Sequence, residues 1–435
     1  MRNKQFEGFF KEILPDSRIE KRAEKVMVDM LDFGNVVVNK FCPTSTEKIG
    51  AYRMLGNDSF DHDDLAKGVS RACKNNDHEG HLLCIEDTTE VNFSHHMGRL
   101  TDDKEIGPVT KSNNAGFFCH PMLVIDSDNQ LPIGISSINI WNRSWDQLNK
   151  HERDYHNQNI EDKESYRWIT SAEETKKLLT KASCLTIIGD RESDIYDEFV
   201  TVPDHRTHIL IRSKINRKLW GEDKNLFEKL SSSKERASYE LDIRNNRKRV
   251  KRKAKMSLKY ERVKIRHPKN RPLENKPSYV EMWAIEAMEL PESVPGKEDP
   301  VLWRLLTTHS IECPEDALKC VEWYSQRWFI EELFRVLKSK GLAIEESQLE
   351  TGGGLKKLAV IALQVALTTM TLKLSLSNTH KVNAKIIFSK EQIYFLTIYM
   401  EKLEGKTEKL KNPYDKADGF QMAIEYLKRK DVYKG

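Results

Sequence analysis

Hydrophobic and polar positions divide the chain into a helical start, an apolar core region and a charged insertion. Up to about residue 70 the apolar residues recur at helical spacing, with a capping residue, Asp16 or Ser17, before the first helix. Short apolar runs then predict strands, and helical periodicity predicts two helices between them. The predicted strands are 81–87, 117–126, 131–141, 184–190 and 208–214, and the helices begin near Glu164 and Ser193. This order predicts an α/β layer protein with a mixed sheet.

From about residue 215 to 300 the pattern changes to short, highly charged segments of alternating polarity with few helix signals. Alternation of this kind predicts a small antiparallel β insertion. The core pattern resumes with an apolar strand at 301–309, and a long amphipathic segment at 323–340 predicts one helix. Two or three polar helices are predicted after about residue 375.

Length and composition are those of an ordinary globular protein of two or three domains, with 435 residues of which 38% are hydrophobic. The longest apolar run, 358–372, is shorter than a membrane span needs, so we expect no membrane partner. The N-terminal residues carry charges throughout and lack a signal-peptide core, so we expect a cytoplasmic protein. Seven scattered cysteines without a C-x-x-C pair indicate reduced, buried side chains rather than a zinc site or a disulfide framework.

Charge is unevenly distributed, although the net charge is only +4. Residues 241–270 hold 13 Lys and Arg side chains against two acids, Asp242 and Glu261. Such density suits the neutralisation of nucleic-acid phosphates. A solvated loop has the same composition, and the segment alone leaves both interpretations open.

Two apolar strands end in aspartate, at Asp87 and at Asp190. Ligands of α/β sheets gather at the carboxyl ends of strands, although a single aspartate there is more often a cap or turn residue. Together with a later glutamate on the polar face of a helix, Glu331, they make a three-carboxylate set. Such a set suits a pair of Mg²⁺ or Mn²⁺ ions, which can activate water and stabilise a leaving oxygen in phosphodiester chemistry.

The segment 323–340 carries a polar stripe if it is one helix. At about 100° per residue, four side chains lie within about 60° of one another: Tyr324, Arg327, Glu331 and Lys338. The opposite face carries Trp328, Leu333 and Val336, which we expect to be buried. A solvated row of salt bridges is the alternative explanation of the stripe.

These residues resemble those of bacterial DDE transposases of the cut-and-paste insertion-sequence class that includes the transposon-five transposase. The matches are IEDTT around Asp87, DRESDI around Asp190, and the signature Y-x-x-R-x-x-x-E-x-x-x-x-x-x-K, which begins at Tyr324. Weaker similarity extends over about residues 10–375. The resemblance implies a ribonuclease-H-like fold, an α/β mixed sheet flanked by helices, with an inserted antiparallel β subdomain and helical terminal regions.

The resemblance also implies residue roles. Asp87, Asp190 and Glu331 would bind two Mg²⁺ (or Mn²⁺) ions per active site. Tyr324, Arg327 and Lys338 would hold the phosphates of a DNA end. Trp303 matches a position whose ring stacks on a flipped base, although a core tryptophan is the alternative, and Thr88 would orient the first aspartate or contact phosphate. The other candidate DNA contacts are His120, Arg212, Lys214, Arg18, Arg22, Tyr52 and Arg53.

The reaction implied is cut-and-paste transposition without ATP. One strand is hydrolysed at the element end, the freed 3′-hydroxyl forms a hairpin, water opens it, and the same 3′-hydroxyl attacks target DNA. The partners implied are the inverted repeats, target DNA and a second protomer in the synaptic complex. The alternatives are a catalytically silent regulator that binds DNA ends and a general ribonuclease-H-like nuclease.

The corresponding division of the chain has three parts. We expect a helical DNA-end-binding domain at 1–70, a catalytic domain at 71–375 with the insertion at about 215–300, and a short helical C-terminal region at 376–435. In the family that last region mediates dimerisation, but the glycine- and tryptophan-rich ending of longer relatives is not evident here.

Overall fold

A computed structural model describes residues 6–100, 104–110, 114–145, 158–243, 249–269, 276–296, 298–339, 341–377, 393–395 and 398. Within them, one mixed sheet of eleven strands runs through the protein. The strands are β1 (His81–Glu86), β2 (Thr89–Asn92), β3 (Gly107–Pro108), β4 (Ala115–Asp126), β5 (Pro132–Trp141), β6 (Cys184–Gly189), β7 (Thr207–Arg212), β8 (Ala237–Ile243), β9 (Arg252–Arg266), β10 (Tyr279–Glu289) and β11 (Leu302–Thr307).

Helices cover the sheet. They are α1 (Ser17–Phe33), α2 (Val38–Phe41), α3 (Ser45–Leu55), α4 (His62–Asn75), α5 (Tyr166–Leu178), α6 (Tyr196–Thr201), α7 (Leu226–Ser232), α8 (Pro314–Ser325), α9 (Trp328–Lys338) and α10 (Gly352–Ser377). Asp16 caps α1, as its position predicted, by accepting hydrogen bonds from the backbone N–H groups of Arg18 and Ile19.

The centre of the sheet is parallel and its flanks are antiparallel. The strand order is β2-β4-β1-β6-β7-β11-β10-β9-β8, with β3 and β5 also paired to β4. β1, β6 and β7 run parallel, whereas β4 and β11 run antiparallel to them. Side chains alternate between two buried clusters, as Leu83 and Ile85 face one and Leu82 and Cys84 face the other. The predicted fold class, an α/β mixed sheet flanked by helices, is confirmed.

The N-terminal helices share their core with the sheet. α4 packs on β5, and α1 and α4 pack on α10. Because α4 spans His62–Asn75, the predicted domain boundary at residue 70 falls inside this helix. Helix α10 is long and apolar enough to cross a membrane, but 94% of its apolar window is buried inside the fold, as is common for the central helix of a globular core. The region 376–435 lies almost entirely outside the described residues.

The charged insertion extends the core sheet. Strands β8, β9 and β10 are antiparallel, as predicted, and β10 pairs with β11 along six residues, so the insertion continues the core sheet. The basic strand β9 is paired on both sides, which excludes a solvated loop for residues 252–266. Glutamates of β10 offset part of its charge, with Arg252 paired to Glu289 at 2.8 Å and Arg262 to Glu281 at 2.6 Å.

The prediction of one helix over 323–340 is wrong. α8 ends at Ser325 and α9 begins at Trp328, because the N–H groups of Gln326 and Arg327 bond to carbonyls three residues back. The turn interrupts the helical periodicity on which the prediction rested, and Trp328, the first residue of α9, is 44% exposed instead of buried. Leu333 and Val336 are buried, as predicted.

Candidate active site

The two aspartates lie at the same level on neighbouring strands. Strands β1 and β6 are parallel, and Ile85 is opposite Ile188. Asp87 and Asp190 each lie two residues further along their strand, so they are level with each other. The pair β6–β7, continued by one residue, sets Asp190 level with Arg212. Adjacent strands are about 4.8 Å apart. Both carboxylates and one guanidinium therefore share the carboxyl edge of the sheet.

Helix α9 brings the third carboxylate to this edge. Arg327, in the turn before α9, donates from Nη1 to Asp87 Oδ2 at 3.0 Å and from Nη2 to Glu331 Oε1. One guanidinium therefore links Asp87 to Glu331. The structure brings together all three carboxylates that the sequence singled out, with Asp190 on the neighbouring strand.

Negative charge accumulates at Asp87. Burial and the nearby charge of Asp190 together raise the pKa of Asp87 from 3.8 to about 6, although Arg327 opposes both effects. Carboxylates crowded in this way are stabilised by a cation among them. All three side chains offer oxygen donors, which Mg²⁺ and Mn²⁺ prefer. The donor set and its charge therefore fit a divalent-cation site.

A hydrogen-bonded network supports Asp87 from behind. The Thr88 N–H donates to Asp87 Oδ1 at 2.8 Å, and the Thr88 hydroxyl lies 2.9 Å from His120 Nδ1. His120 Nε2 lies 3.2 Å from Glu86 Oε2, and burial raises the pKa of Glu86 well above its usual range. His120 is fully buried, so its candidacy as a DNA contact is wrong. His120 instead holds the side chain of Thr88, whose backbone N–H binds Asp87.

Arg167 was missed by the sequence analysis. From α5 it donates to the Thr88 hydroxyl at 2.9 Å and to Glu192 Oε2 at 3.0 Å. It also donates to the Glu164 carbonyl at 2.8 Å. Arg167 thus joins the segment after β1 to the segment after β6. Sequence offered no signal for it, because an arginine near the start of an amphipathic helix is ordinary.

An aromatic cluster lies beside the carboxylates. The rings of Trp303 and Tyr324 meet edge to face with centroids 5.6 Å apart. Tyr324 is buried, and its hydroxyl lies near Arg212, which donates to the Leu302 carbonyl at 3.0 Å. Trp303 is only partly buried. Tyr324 therefore lies under the site, with its hydroxyl rather than its ring toward the polar edge.

Two lysines flank this edge. Lys338 Nζ lies 3.5 Å from Glu345 Oε1, at the last turn of α9. Lys214 follows β7, and its side chain is exposed. Buried Asp194 fixes the backbone there by accepting from the N–H groups of Lys214 and Ile215 at 2.7 and 2.8 Å. Asp194 is in turn paired with Arg217 at 2.7 Å.

The N-terminal candidates lie on α1 and α3. Arg18 and Arg53 are exposed, and Tyr52 packs against the core with part of its ring accessible. The Arg22 guanidinium lies against the backbone of Gly50, where an added Cβ would approach it to 2.6 Å. Their role in DNA binding stays a prediction.

Residues 170–367 match the family model described as the transposase DDE domain. The chain contains a transposase DDE domain. The matched region includes Asp190, Trp303 and the signature from Tyr324 to Lys338, and it spans the inserted strands, whereas Asp87 lies upstream of it. The resemblance to DDE transposases is thereby confirmed, together with the ribonuclease-H-like class of fold. Transposases of this type act on DNA with the aid of divalent metal ions, generally Mg²⁺, and the match supports such an activity for this protein.

Proposed function

We propose that this transposase cuts and pastes its own mobile element in the manner of the transposon-five class. The observation that carries the proposal is the convergence of Asp87, Asp190 and Glu331 at one sheet edge. In that reaction one DNA strand is hydrolysed at the element end. The freed 3′-hydroxyl attacks a phosphodiester of the other strand and expels the 3′-oxygen of the flanking DNA, which gives a hairpin. Hydrolysis opens the hairpin, and the same hydroxyl attacks target DNA.

Asp87, Asp190 and Glu331 would hold two Mg²⁺ or Mn²⁺ ions. When bound, such ions lower the pKa of water or a hydroxyl and stabilise the leaving oxygen. The protein's own contribution is placement, since two aspartates stand on rigid strands and the glutamate on a helix. Arg327, which neutralises Asp87 and Glu331 in the structure, would move to a DNA phosphate when the cations enter.

DNA would approach along the edge that carries Arg212 and Lys214. Lys338 would contact phosphate beside α9, and Thr88 would keep Asp87 in place. The partly accessible ring of Trp303, wedged against Tyr324, offers a flat surface on which an unstacked base could lie. A second protomer would complete the synaptic complex, because two element ends must be cut together.

The test uses a duplex that carries the DNA flanking the gene, incubated with purified protein and Mg²⁺, with products separated on a denaturing gel. We expect nicks followed by hairpins, and neither product with Glu331→Gln. The matched control is Glu322→Gln, which changes an exposed carboxylate of the preceding helix α8 that lies outside the proposed cation set. Tight binding without cleavage by the wild type would favour a silent regulator.

The same gel separates a transposase from a general nuclease. Trp303→Ala should still nick the element end but lose most of the hairpin product. Trp283→Ala, which removes a partly buried tryptophan of the neighbouring strand β10, should leave the ratio of hairpin to nick unchanged. Nicking of any duplex without hairpins by the wild type would favour a ribonuclease-H-like nuclease.

A further inference from the structure

A second group of metal-binding side chains lies at the opposite end of the sheet from Asp87 and Asp190. His81 begins β1 and Cys184 begins β6, and the two are direct partners in the parallel ladder. His309 follows β11 by two residues. One ligand atom from each of the three side chains lies within 4.8 Å of the other two.

A threonine hydroxyl now occupies the centre of this group. Thr186 Oγ1 lies 2.7 Å from His81 Nε2 and 2.7 Å from His309 Nε2. A hydroxyl has one proton to donate, so one imidazole accepts it and the other donates its own N–H. Both Nε2 atoms therefore point at a common centre, as they would toward a shared ion.

Neighbouring rings hold the two imidazoles in place. His208 stacks on His309 with centroids 4.0 Å apart, and Trp323 meets His81 edge to face at 4.5 Å. Burial lowers the pKa of His81 to about 4 and also lowers that of His309. Lys319, which lies over the Trp323 ring, is the nearby charge that opposes a cation.

The donor types select the ion. Imidazole nitrogen and thiolate sulfur suit Zn²⁺ and related transition ions and not Mg²⁺. Bond lengths of about 2.0–2.3 Å set tetrahedral ligand atoms roughly 3.3–3.6 Å apart. The ligand atoms would have to close by up to about 1.5 Å. The Thr186 hydroxyl would have to turn away from between the two imidazoles to admit the ion. A fourth position would stay open for water.

We propose that His81, Cys184 and His309 form a binding site for Zn²⁺ or a similar transition ion, separate from the carboxylate site. The ion would tie the starts of β1 and β6 to the segment that leads into α8. The proposal does not depend on the proposed transposition reaction. Sequence spacing could not have shown the site, because its ligands come from three distant segments.

Cobalt is the probe. The full-length protein is stripped with a chelator and titrated with Co²⁺, and absorption is recorded in the near ultraviolet and the visible. We expect one equivalent to give a thiolate-to-cobalt band that Zn²⁺ abolishes. Cys184→Ser should lose at least nine-tenths of that band, whereas Cys313→Ser, a change of another incompletely buried cysteine, should keep it.

Two further variants make the outcome decisive. Asp190→Asn should keep the thiolate band, because the carboxylate site is separate. His309→Gln should weaken Co²⁺ binding at least tenfold while its circular dichroism spectrum stays that of the wild type. No thiolate band in the wild type, or a full band in Cys184→Ser, would overturn the proposal and leave a histidine cluster held by Thr186 alone.

Discussion

Asp87 and Arg327, which are 240 residues apart in the chain, form an ion pair at 3.0 Å. The same guanidinium contacts Glu331. Arg327 is therefore the counter-ion of two carboxylates that we propose as cation ligands. We expect a divalent cation at this site to displace Arg327, which would free the guanidinium for a DNA phosphate.

Removing the Arg327 guanidinium should strengthen cation binding and weaken the contact with DNA. We expect Arg327→Gln to bind Mn²⁺ on the order of fivefold more tightly in the absence of DNA, since a partly exposed ion pair contributes about 1 kcal/mol. Cleavage of an element-end duplex should nevertheless fall. Mn²⁺ binding is measured by electron paramagnetic resonance, and cleavage by gel.

Arg335→Gln is the matched control. Arg335 pairs with Glu332 on the same helix, away from the carboxylate set, and its loss should leave Mn²⁺ affinity unchanged. Equal Mn²⁺ affinity in wild type and Arg327→Gln would show that Arg327 does not compete with the cation.

Arg167 is expected to position the active site rather than touch DNA. Arg167→Ala removes its bonds to Thr88 and Glu192, so the cleavage rate should fall at least tenfold with little change in DNA affinity. Stability should fall by about 1 kcal/mol, because the partly buried Thr88 hydroxyl and Glu164 carbonyl lose their donor. Single-turnover cleavage and denaturant unfolding measure the two effects.

Arg206→Ala provides the comparison. Arg206 donates to the carbonyls of Leu179, Ala182 and Lys176 at the far end of α5, so its loss should cost similar stability. Cleavage per folded molecule should stay near that of the wild type. If both variants lost cleavage to the same extent, Arg167 would have only a structural role.

Substitutions of the two aspartates of DRESDI, Asp190 and Asp194, should distinguish a residue needed for cleavage from one needed for stability. Asp190→Asn should abolish cleavage while the melting temperature stays equal or rises, because repulsion with Asp87 is relieved. Asp194→Asn should cost about 3 kcal/mol or more, because Arg217 is then buried without its anion. Differential scanning calorimetry distinguishes them, and a destabilised Asp190→Asn beside a stable Asp194→Asn would contradict the assignment.

Glu198 predicts a pH dependence of stability. Burial raises its pKa from the ordinary 4.5 to about 8. Between these values the folded state holds a proton that the unfolded state has lost, so stability falls as pH rises, by at most about 1.4 kcal/mol per unit. Glu198→Gln is always neutral and should show a shallower decline between pH 5 and 8. Parallel curves from urea unfolding would contradict this.

Much of the fold could be predicted from sequence, because buried strands of this sheet are continuous apolar runs. β1, β4, β5 and β6 lie where those runs lie, and Asp87 and Asp190 follow their strands directly. The fixed spacing of the signature that begins at Tyr324 also identified Glu331 and Arg327 as candidate site residues. Asp87 and Asp190 could be placed in one site because ligands of such sheets gather at the carboxyl ends of strands.

The remaining features depend on contacts that a periodic pattern does not encode. The turn at Gln326 carries neither glycine nor proline, so one helix was predicted and the exposure of Trp328 was missed. His120 looked like a polar candidate because its partners lie more than 30 residues away in the chain, Glu86 at the end of β1 and Thr88 just after it. The insertion looked separate because pairing of β10 with β11 depends on tertiary structure.

The most direct test of the central claim is metal rescue of Asp190→Cys. Thiolate is a poor ligand for Mg²⁺ and a better one for softer ions such as Mn²⁺. With an element-end duplex, we expect Asp190→Cys to lose at least 99% of cleavage in Mg²⁺ and to regain a substantial part in Mn²⁺, whereas exposed Asp128→Cys cleaves like the wild type in both. Cleavage by Asp190→Cys at the wild-type rate in Mg²⁺ would contradict a cation site at Asp190.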